Sequence, residues 1–297
     1  MQRKLIFFYN PISGTKGKEQ LLASIRSQTT AKGLLFEIQE TNASGDYNFL
    51  RNKIQQDGVT DIIVCGGDGT VNQVASALQN VDVNIGIIPM GSGNGLALAA
   101  GIPRNTDEAL QIIFRGNASS IDAFYINQQF SCMLCGLGFD AQVAHDFARQ
   151  AKRGLGTYIK QTIKNFFSAK AWPFVLNIDN STITTEAFFI SIANSNQFGN
   201  NVTIAPKASI CDGLIDVVVV KKMSKAKLLF SLLKQVTSGQ VTARKKYHQE
   251  DILYYQTKNL HIKNPLEAPF HIDGDPAATA KEFNITIIEK AFRLLQP

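Results

Sequence analysis

The stretch Asp61–Leu78 constrains the fold of this chain more than any other part of the sequence. It opens with the apolar run Ile62–Cys65, whose length and β-branched residues predict a buried parallel strand. The run ends at Gly66-Gly67-Asp68-Gly69-Thr70, and a helical pattern then places Val71, Val74, Ala75 and Leu78 on one face. A strand, a glycine-rich turn and a helix in this order direct backbone N–H groups toward an anion.

The chemistry of this loop follows from its glycines and its one acid. Glycine lets the backbone approach a phosphate closely, because no Cβ stands in the way. The Asp68 carboxylate repels a phosphate unless a metal ion or a proton lies between them, so the loop indicates nucleotide phosphates with Mg²⁺. The alternative is a tight strand-to-helix turn with Asp68 near the N-cap, since the loop lacks the spacing of the dinucleotide and P-loop motifs.

Two more loops follow predicted strands in the first hundred residues. Leu5–Tyr9 leads into Asn10–Lys18, and Asn84–Pro89 leads into Met90–Gly95. Such repeated junctions predict an open α/β sheet that binds ligands at the carboxyl ends of its strands. The other elements predicted here are helices over Lys18–Lys32, Asp46–Asp57, Leu96–Ala100 and Thr106–Arg115, with Thr106 as N-cap, and a strand over Leu34–Gln39.

After about Ser120 the pattern changes to alternating segments separated by turn residues, which predicts a β-rich sandwich or barrel-like domain. The expected domains are residues 1–121 and 122–288, with 289–297 packing back on the first. Helices are predicted over Asp140–Phe167 and Ser224–Thr237. The predicted strands are Ala123–Ile126, Gln129–Leu134, Phe174–Asp179, Ser181–Ala193, Ile215–Val220, Asp251–Gln256, Asn259–Lys263, Pro269–Ile272 and Asn284–Ile288.

Length and charge narrow the class of protein. The 297 residues suffice for two domains, and a net charge of +6 allows anionic partners such as a nucleotide, a nucleic acid or an acidic membrane. No apolar run reaches the ~18 residues of a membrane-spanning helix, and the apolar N-terminus is too short for a signal peptide, so we expect a cytoplasmic protein. Nucleic-acid binding is not predicted, because no basic and aromatic recognition motif occurs.

The cysteines and histidines do not predict a metal or redox centre. Cys132 and Cys135 have the spacing of a redox motif but lie in a strand-like run, so packed thiols are expected. The four histidines do not cluster, which argues against zinc. His271 precedes Asp273 in strand alternation and could face the cleft; the alternative is a surface or packed role.

Taken together, the three loops resemble a known family. Asn10–Gly14, Gly66–Asn72 and Pro89–Asn94 are similar in order and spacing to the signature of soluble lipid kinases, namely the bacterial diacylglycerol kinase family with sphingosine and ceramide kinases as relatives. Asp212–Asp216 resembles that family's metal-binding turn, and Ile272–Asp275 resembles its late acidic motif. The resemblance therefore covers nearly the whole chain.

The resemblance implies an α/β nucleotide domain and a β-rich lipid domain with an ATP cleft between them. The implied reaction transfers the γ-phosphoryl of ATP to a lipid hydroxyl. Asp273 and Asp275 fall on the pair that deprotonates this hydroxyl, with Asp68 as a further candidate base, and Asp212 with the main-chain oxygens of Ser209 and Leu214 corresponds to a structural Mg²⁺ site. The implied nucleotide contacts are Asn10, Pro11, Ile12, Ser13, Gly14, Thr41, Gly66, Gly67, Asp68, Gly69, Thr70, Val71, Asn72 and Ser92.

The chain departs from the family pattern at three points. Asp275 stands where the family usually has Glu, which moves the carboxylate by roughly 1.5 Å. Gly95 stands where bacterial members carry an Asp, which leaves Asp68 and Asp122 of an acidic metal network. The loop Gly91–Ala97 is similar to the sphingosine-kinase form. A sphingoid base is therefore the alternative acceptor, and an NAD kinase or a non-catalytic nucleotide-binding regulator are more distant alternatives.

A lipid kinase must reach its substrate at a membrane surface, so we expect a peripheral membrane contact; a homodimer is left open. Basic residues near an anionic bilayer add to binding, whereas the alternative is a solvated helix face. The basic candidates are Lys160, Lys164, Lys170, Lys221, Lys222, Lys225, Lys227, Lys234, Arg244, Lys245 and Lys246. Phe166, Phe167, Trp172 and Phe174 either insert at the interface or belong to the core.

Overall fold

The computed structural model describes residues 2–11, 18–42, 44–150, 161–162, 164–165, 169–197, 203–224 and 251–297. It divides into two compact units. Unit 1 comprises Met1–Asp122 and Glu289–Pro297, and unit 2 comprises Ala123–Ile288. The predicted helix Ser224–Thr237 lies almost entirely outside the described residues, as does much of the predicted helix Asp140–Phe167.

Unit 1 alternates strands and helices along the chain. Its strands pair in the order β4-β3-β1-β2, all parallel. Every residue of β3 is buried, as expected for a central strand covered on both faces. This confirms the predicted α/β domain. The elements are β1 (Lys4–Tyr9), α1 (Lys18–Ala31), β2 (Leu35–Glu40), α2 (Phe49–Asp57), β3 (Asp61–Gly66), α3 (Asp68–Ala77), β4 (Asn84–Pro89), α4 (Gly95–Ala99) and α5 (Thr106–Arg115).

The amino-terminal edge of this sheet is fixed by a buried ion pair. Arg3 donates through Nε and Nη2 to the two carboxylate oxygens of Asp61, at 2.9 Å each, and Asp61 is fully buried. Thr60 and Asn84 also donate to Asp61, at 2.6 and 3.0 Å. A buried carboxylate is tolerated only when it is paired and hydrogen-bonded, so we assign the Arg3–Asp61 ion pair a structural role.

The N-cap of α5 differs from the prediction. The capping residue is Asn105, which has an extended backbone, and its side-chain oxygen accepts from the N–H groups of Asp107 (2.9 Å) and Glu108 (3.1 Å). Thr106 is instead the first helical residue. Asn and Thr are both good N-caps, and the sequence alone did not show which one has the non-helical backbone.

Unit 2 is built from antiparallel strands around one apolar core that includes Phe174, Ile190, Val217 and Phe270. The strands pair in the order β14-β13-β7-β9-β8-β12-β15, and β10 joins β9 to β11. This confirms the predicted β-rich domain. Its elements are β5 (Ala118–Ile126), β6 (Gln129–Ser131), β7 (Leu134–Gly138), α6 (Phe139–Ala148), β8 (Trp172–Ile178), β9 (Ser181–Ala193), β10 (Ile215–Lys221), β11 (Ile252–Thr257), β12 (Asn259–Lys263), β13 (Phe270–Ile272), β14 (Asp275–Ala277) and β15 (Glu282–Leu295), of which β5 and β15 also supply residues to unit 1.

Several details of the second half depart from the sequence prediction. The predicted strand Gln129–Leu134 is two strands, β6 and β7, interrupted at Cys132 and Met133. Strand β14 was not predicted, and β15 continues to Leu295, where Arg293 and Leu294 pair in parallel with β4. Lys221 lies in β10 rather than on a helix.

The outcome differs among the cysteines, aromatic residues and basic residues singled out in the sequence. Cys132 and Cys135 are buried free thiols, as predicted. Phe174 belongs to the core, and Trp172 packs against it. Lys160, Phe166, Phe167 and the basic residues from Lys225 to Lys246 lie outside the described residues. No helix in the described part of the chain is long and apolar enough to cross a membrane.

Candidate functional site

The carboxyl ends of four parallel strands lie at one edge of unit 1. Tyr9 pairs with Glu40 on one side and with Cys65 on the other, and Gly66 pairs with Pro89. Backbone hydrogen bonds continue past the strand ends, from Asn10 N to Cys65 O (3.2 Å), Thr41 N to Tyr9 O (3.0 Å) and Met90 N to Gly66 O (2.9 Å). The loops predicted to contact the nucleotide therefore begin side by side.

Two of these loops touch through their main chains at Gly67 and Gly91. A Cβ atom on Gly91 would lie 2.6 Å from the Cα atom of Gly67, and a Cβ atom on Gly67 would lie 3.1 Å from the Cα atom of Gly91. A side chain at Gly91 therefore cannot be accommodated without moving one loop, and one at Gly67 would be tight. The approach of one loop to the other explains the glycines at these two positions, whereas the access for a phosphate that the sequence indicates stays a prediction.

Asn94 closes the third loop upon itself. Its Nδ2 donates to Gly91 O (2.7 Å), and its Oδ1 accepts from Gly91 N (2.8 Å). Asn94 is buried and has a left-handed backbone with φ of 55°, which Asn tolerates better than most residues. This role of Asn94 was not predicted from the sequence. Ser92, the predicted nucleotide contact, is exposed in the same loop.

Helix α3 begins directly at the glycine loop. Its N-cap is Gly67, which has no side chain to cap the helix, and the ten-residue helix is anchored by the buried side chains of Val71 and Val74. The first amides of a helix have no partner within it and carry partial positive charge. Asp68 and the predicted contacts Gly69, Thr70 and Asn72 all lie in α3, so the amino end of this helix opens onto the loop edge.

The first glycine-containing loop is only partly described. Asn10 and Pro11 follow β1 at the loop edge, and Thr41 follows β2. Ile12, Ser13 and Gly14 lie outside the described residues. For these residues the nucleotide-binding role stays a prediction.

In unit 2 the late acidic motif forms a tight hairpin between β13 and β14. Ile272 pairs with Asp275, and the two residues between them, Asp273 and Gly274, have positive φ values of 50° and 85°. An Asp-Gly pair is the usual sequence for such a two-residue turn. The sequence motif is thus at the same time a turn signal.

The two acids of this hairpin occupy different environments. Asp273 Oδ1 accepts from Ser131 Oγ (2.8 Å) and from Leu134 N (3.0 Å), so this carboxylate anchors the turn to β6 and β7. Asp275 is exposed. An acid that must meet a substrate hydroxyl needs access, which favours Asp275 over Asp273 for that role.

The predicted Mg²⁺ turn precedes β10 in unit 2. Asp212 is exposed, its Oδ1 accepts from Leu214 N (3.1 Å), and Gly213 between them has φ of 72°. No group of three or more His, Cys, Asp or Glu side chains in the described residues could hold a metal ion. The predicted ligand set is of another kind, because it combines one carboxylate with the main-chain oxygens of Ser209 and Leu214.

The buried acid Asp216 lies beside this turn and bears on whether a cation fits there. Asp216 is fully buried, and Tyr254 donates its hydroxyl to Oδ1. The pKa of Asp216 is raised to about 6, mainly by burial and further by the charge of Asp212. Within the described residues, Oδ2 of Asp216 has no hydrogen-bond partner. Two carboxylates that repel each other, one of them short of donors, suit a divalent cation bound in the turn.

Asp122, the remaining predicted metal residue, has a structural contact. It is buried in β5, and its Oδ1 accepts from the backbone N–H of Lys290 at 2.8 Å. Lys290 has a positive φ of 54°, so this hydrogen bond supports an uncommon backbone conformation within β15. A role for Asp122 in a metal network with Asp68 stays a prediction.

An open pocket of about 390 Å³ lies in unit 2 next to the acidic hairpin. Trp172, Phe270 and Ala277 supply apolar surface. Lys170, whose Nζ lies 3.8 Å from the centre of the Trp172 ring, supplies a positive charge, and Glu267 supplies a negative one. Ala277 is two residues after Asp275 in β14, so both side chains belong to the same face of that strand.

Comparison with known proteins identifies both halves of the chain. Residues 4–126 match the model of the diacylglycerol kinase catalytic domain. Residues 134–295, more than half of the chain, match the model of the YegS C-terminal NAD kinase beta sandwich-like domain.

Similar proteins match along nearly their whole length. "Probable lipid kinase YegS" of Salmonella arizonae is 28% identical over 294 residues, covering 96% of this chain and 94% of that protein. "Probable lipid kinase YegS-like" of Citrobacter koseri is 30% identical over 275 residues, covering 90% and 88%. The crystal structure of a diacylglycerol kinase from Bacillus anthracis has the same fold, with a TM-score of 0.76, 20% identity, and coverage of 99% of this chain and 97% of that one. The chain therefore belongs to the lipid kinase family that joins the diacylglycerol kinase catalytic domain to the YegS C-terminal domain.

Proposed function

We propose that this protein is an ATP-dependent lipid kinase that transfers the γ-phosphoryl group of ATP to a lipid hydroxyl, with diacylglycerol or a related lipid as acceptor. The observation that carries the proposal is the contact between Gly67 and Gly91 at the amino end of α3. Because neither residue has a side chain, the two loops approach each other closely beside the first amides of α3, at the carboxyl edge of a parallel sheet. This is where α/β proteins bind phosphates, and the family membership supports the same use here.

In this proposal unit 1 binds the nucleotide. The loops at Asn10–Gly14, Thr41, Gly66–Asn72 and Ser92 would contact it, and the amides at the start of α3 would face its phosphates. Asp68 lies in the first turn of this helix, where a lone carboxylate would repel a phosphate. We therefore assign to Asp68 one of two roles: it binds the Mg²⁺ that accompanies ATP, or it takes the proton of the acceptor hydroxyl.

Unit 2 would supply the carboxylate that assists the acceptor. Phosphoryl transfer depends mainly on positioning and charge neutralisation, and the attacking alcohol needs a base only as its bond to phosphorus forms. Asp275 is exposed, whereas Asp273 is held by Ser131 and Leu134, so we assign the base role to Asp275 and a turn-anchoring role to Asp273.

A structural Mg²⁺ is a further part of the proposal. Asp212 and the main-chain oxygens of Ser209 and Leu214 would hold it, and the buried Asp216 nearby explains why a positive charge is favourable there. Bound in this turn, the ion would neutralise two neighbouring carboxylates and fix the chain entering β10. In this proposal the Mg²⁺ at this turn does not take part in the phosphoryl transfer.

The apolar part of the acceptor would enter the pocket beside the hairpin. Its apolar residues Trp172, Phe270 and Ala277 suit a hydrocarbon chain, and Ala277 lies on the face of β14 that carries Asp275. Lys170 over the Trp172 ring combines an aromatic and a basic group, a combination that favours the interface of an anionic membrane. Ala277→Leu, which reduces the pocket, should raise the KM for the lipid and leave the KM for ATP unchanged.

The deciding experiment measures ADP release from Mg·ATP with a panel of acceptors in mixed micelles. The panel contains diacylglycerol, monoacylglycerol, a sphingoid base, ceramide, undecaprenol and NAD. We expect turnover with diacylglycerol, and we expect Asp68→Ala and Asp275→Ala each to lower kcat at least about 100-fold. A response to the sphingoid base alone would change the acceptor class, and a response to NAD alone would contradict the proposal. ATP binding without turnover on any acceptor would indicate a nucleotide-binding regulator.

A further inference from the structure

A buried polar pair lies directly behind the acidic hairpin of unit 2. His271 in β13 is fully buried, and its Nε2 is 3.4 Å from Oδ2 of Asp140, which is 6% exposed in the first turn of α6. Burying an imidazole and a carboxylate costs free energy unless each finds a partner. Neither residue takes part in the reaction proposed above, so the contacts of the pair indicate why the two side chains are buried together.

The next contact of His271 is the turn itself. The backbone N–H of Gly274 donates to Nδ1 of His271 at 3.3 Å. A peptide N–H can only donate, so Nδ1 must accept, and the proton of the neutral ring lies on Nε2, which faces Asp140. Asp140 is held in turn, because its Oδ1 accepts from Ala141 N at 2.8 Å. The contacts thus run from α6 through the imidazole to the turn.

Gly274 is the residue between Asp273 and Asp275. The turn is therefore held at two points, with Asp273 bound by Ser131 and Leu134, and Gly274 bound by His271. Asp273 has a positive φ of 50°, which carries a steric cost for a residue with a Cβ atom, whereas Gly274 adopts its φ of 85° freely. The direction of the Asp275 side chain depends on this turn, since Asp275 is the first residue after it.

The neighbouring strand leaves room for the pair. A Cβ atom on Gly136 of β7 would clash with Oδ2 of Asp140 and would lie 2.6 Å from Nε2 of His271. The carboxylate and the imidazole therefore meet over the Cα atom of Gly136. Any side chain at this position would separate them.

We propose that Asp140 and His271 are positioning residues that hold the Asp273-Gly274 turn in register and thereby aim the Asp275 carboxylate at the acceptor hydroxyl. This inference rests on the proposed function of Asp275. The pair does not touch the reacting atoms, and its effect is on the placement of the acid. A displacement of about 1 Å at a reacting group can cost up to roughly 100-fold in rate, so a positioning role is measurable.

The test uses substitutions that keep the size of each side chain. Asp140→Asn places an amide N–H₂ against the Nε2–H of His271, because its carbonyl oxygen remains with Ala141 N. We expect kcat to fall by about 10- to 100-fold while the KM for Mg·ATP stays within about twofold. His271→Asn keeps an acceptor near the position of Nδ1 and should retain more kcat than His271→Leu. Wild-type kcat in Asp140→Asn, or equal loss in the two His271 variants, would overturn the proposal.

A second, more exposed histidine–carboxylate pair in the same unit serves as a control. His261 in β12 also meets a carboxylate, Glu282 Oε2, at 3.3 Å, and its Nδ1 meets Asn177 at 3.0 Å. His261→Asn and Glu282→Gln break a histidine–carboxylate pair on β12 and β15, and the strand order separates β12 from the hairpin strand β13 by β7, β9 and β8. Both variants should keep the kcat of the wild-type protein. A loss equal to that of the buried pair would show a general effect on unit 2 and would overturn the proposal.

A second readout does not depend on kinase activity. Long-range ¹H–¹⁵N spectra distinguish the two neutral tautomers of histidine, and His271 should be the Nε2–H form. Asp140→Asn should shift the amide resonance of Gly274, whereas Glu282→Gln should leave it unchanged. An Nδ1–H tautomer, or no shift at Gly274, would overturn the proposal. If the wild-type protein phosphorylated no lipid, the proposed function would fail, and these spectra would still decide whether the pair holds the turn.

Discussion

Gly67 and Gly91 join two loops that are separate in sequence into one surface, because a Cβ atom on Gly91 would stand 2.6 Å from the Cα atom of Gly67. Gly67 is the N-cap of α3, and Gly91 is fixed by both polar atoms of the Asn94 side chain. The close approach of the two loops therefore depends mainly on the absence of a side chain at Gly91 in the third loop. A nucleotide bound at this edge would contact both loops.

Gly91→Ala should weaken ATP binding at least about 10-fold, because its Cβ would meet Gly67 Cα at 2.6 Å and Asn94 Oδ1 at 2.9 Å. Gly67→Ala should have a smaller effect, since its Cβ would lie 3.1 Å from the nearest atom. Titration calorimetry with a non-hydrolysable ATP analogue measures both. Gly33→Ala is the control: its φ of 65° makes the substitution strained, but no atom lies within 4 Å, so stability should fall without a change in affinity. Equal affinities in all three variants would exclude the loop contact as a determinant of binding.

The ion pair at the opposite edge of the sheet should contribute to stability alone. Among the described residues, Arg3→Met leaves the fully buried Asp61 carboxylate with Thr60 and Asn84 as its side-chain donors, and such a loss costs about 3 kcal/mol. Lys53→Met is the matched control, because Lys53 pairs with Glu37 (3.0 Å) and Asp57 (3.4 Å) on the surface and should cost less than about 1 kcal/mol. Urea unfolding followed by circular dichroism compares the two. Similar midpoints for both variants would mean that Asp61 finds another partner.

Local sequence signals were sufficient for most of unit 1. Strand β4 was predicted with the same bounds, and the loops after β1, β3 and β4 were found at the carboxyl ends of parallel strands. The reason is that each signal is short: an apolar run of five or six residues, then glycines, then a helical period. The Gly67–Gly91 contact was not predicted, because it depends on the register between β3 and β4.

The acidic hairpin shows where sequence reasoning stopped. The motif Ile272–Asp275 marked both acids, yet it could not separate their roles. Asp273 is fixed by Ser131, which is 142 residues away in the sequence, so no local pattern reveals the contact. Strand β14 was missed because three residues are too few to show alternation. His271 was weighed as a packed residue, which its full burial confirms, but its contact with Gly274 requires the folded hairpin.

Removal of Mg²⁺ should destabilise the protein through the turn before β10. An ion that binds only the folded state at ~100 times its Kd adds about 2.7 kcal/mol, so millimolar Mg²⁺ without nucleotide should raise the Tm. Asp212→Asn should abolish this increase. Asp82→Asn, which changes an exposed acid of unit 1, should preserve it. The same Mg²⁺-dependent increase in all three proteins would place the ion elsewhere.

Asp273 and Asp275 should respond differently to the same substitution. Asp275→Asn should lower kcat at least about 100-fold with little change in unfolding free energy, because the contacts of an exposed carboxylate add little to stability. Asp273→Asn keeps an Oδ1 acceptor but removes its negative charge, so the hydrogen bonds from Ser131 Oγ and Leu134 N should weaken and stability should fall by about 1 to 3 kcal/mol. Its kcat should fall less than that of Asp275→Asn. Steady-state kinetics and thermal unfolding of the same preparations separate the two effects.

Asp275→Glu, which installs the acid usual in the family, should keep kcat within about 10-fold of the wild-type value, because an exposed hairpin position allows the longer side chain to adjust. An Asp273→Asn variant that loses as much kcat as Asp275→Asn and remains as stable as the wild-type protein would reverse the roles of the two acids.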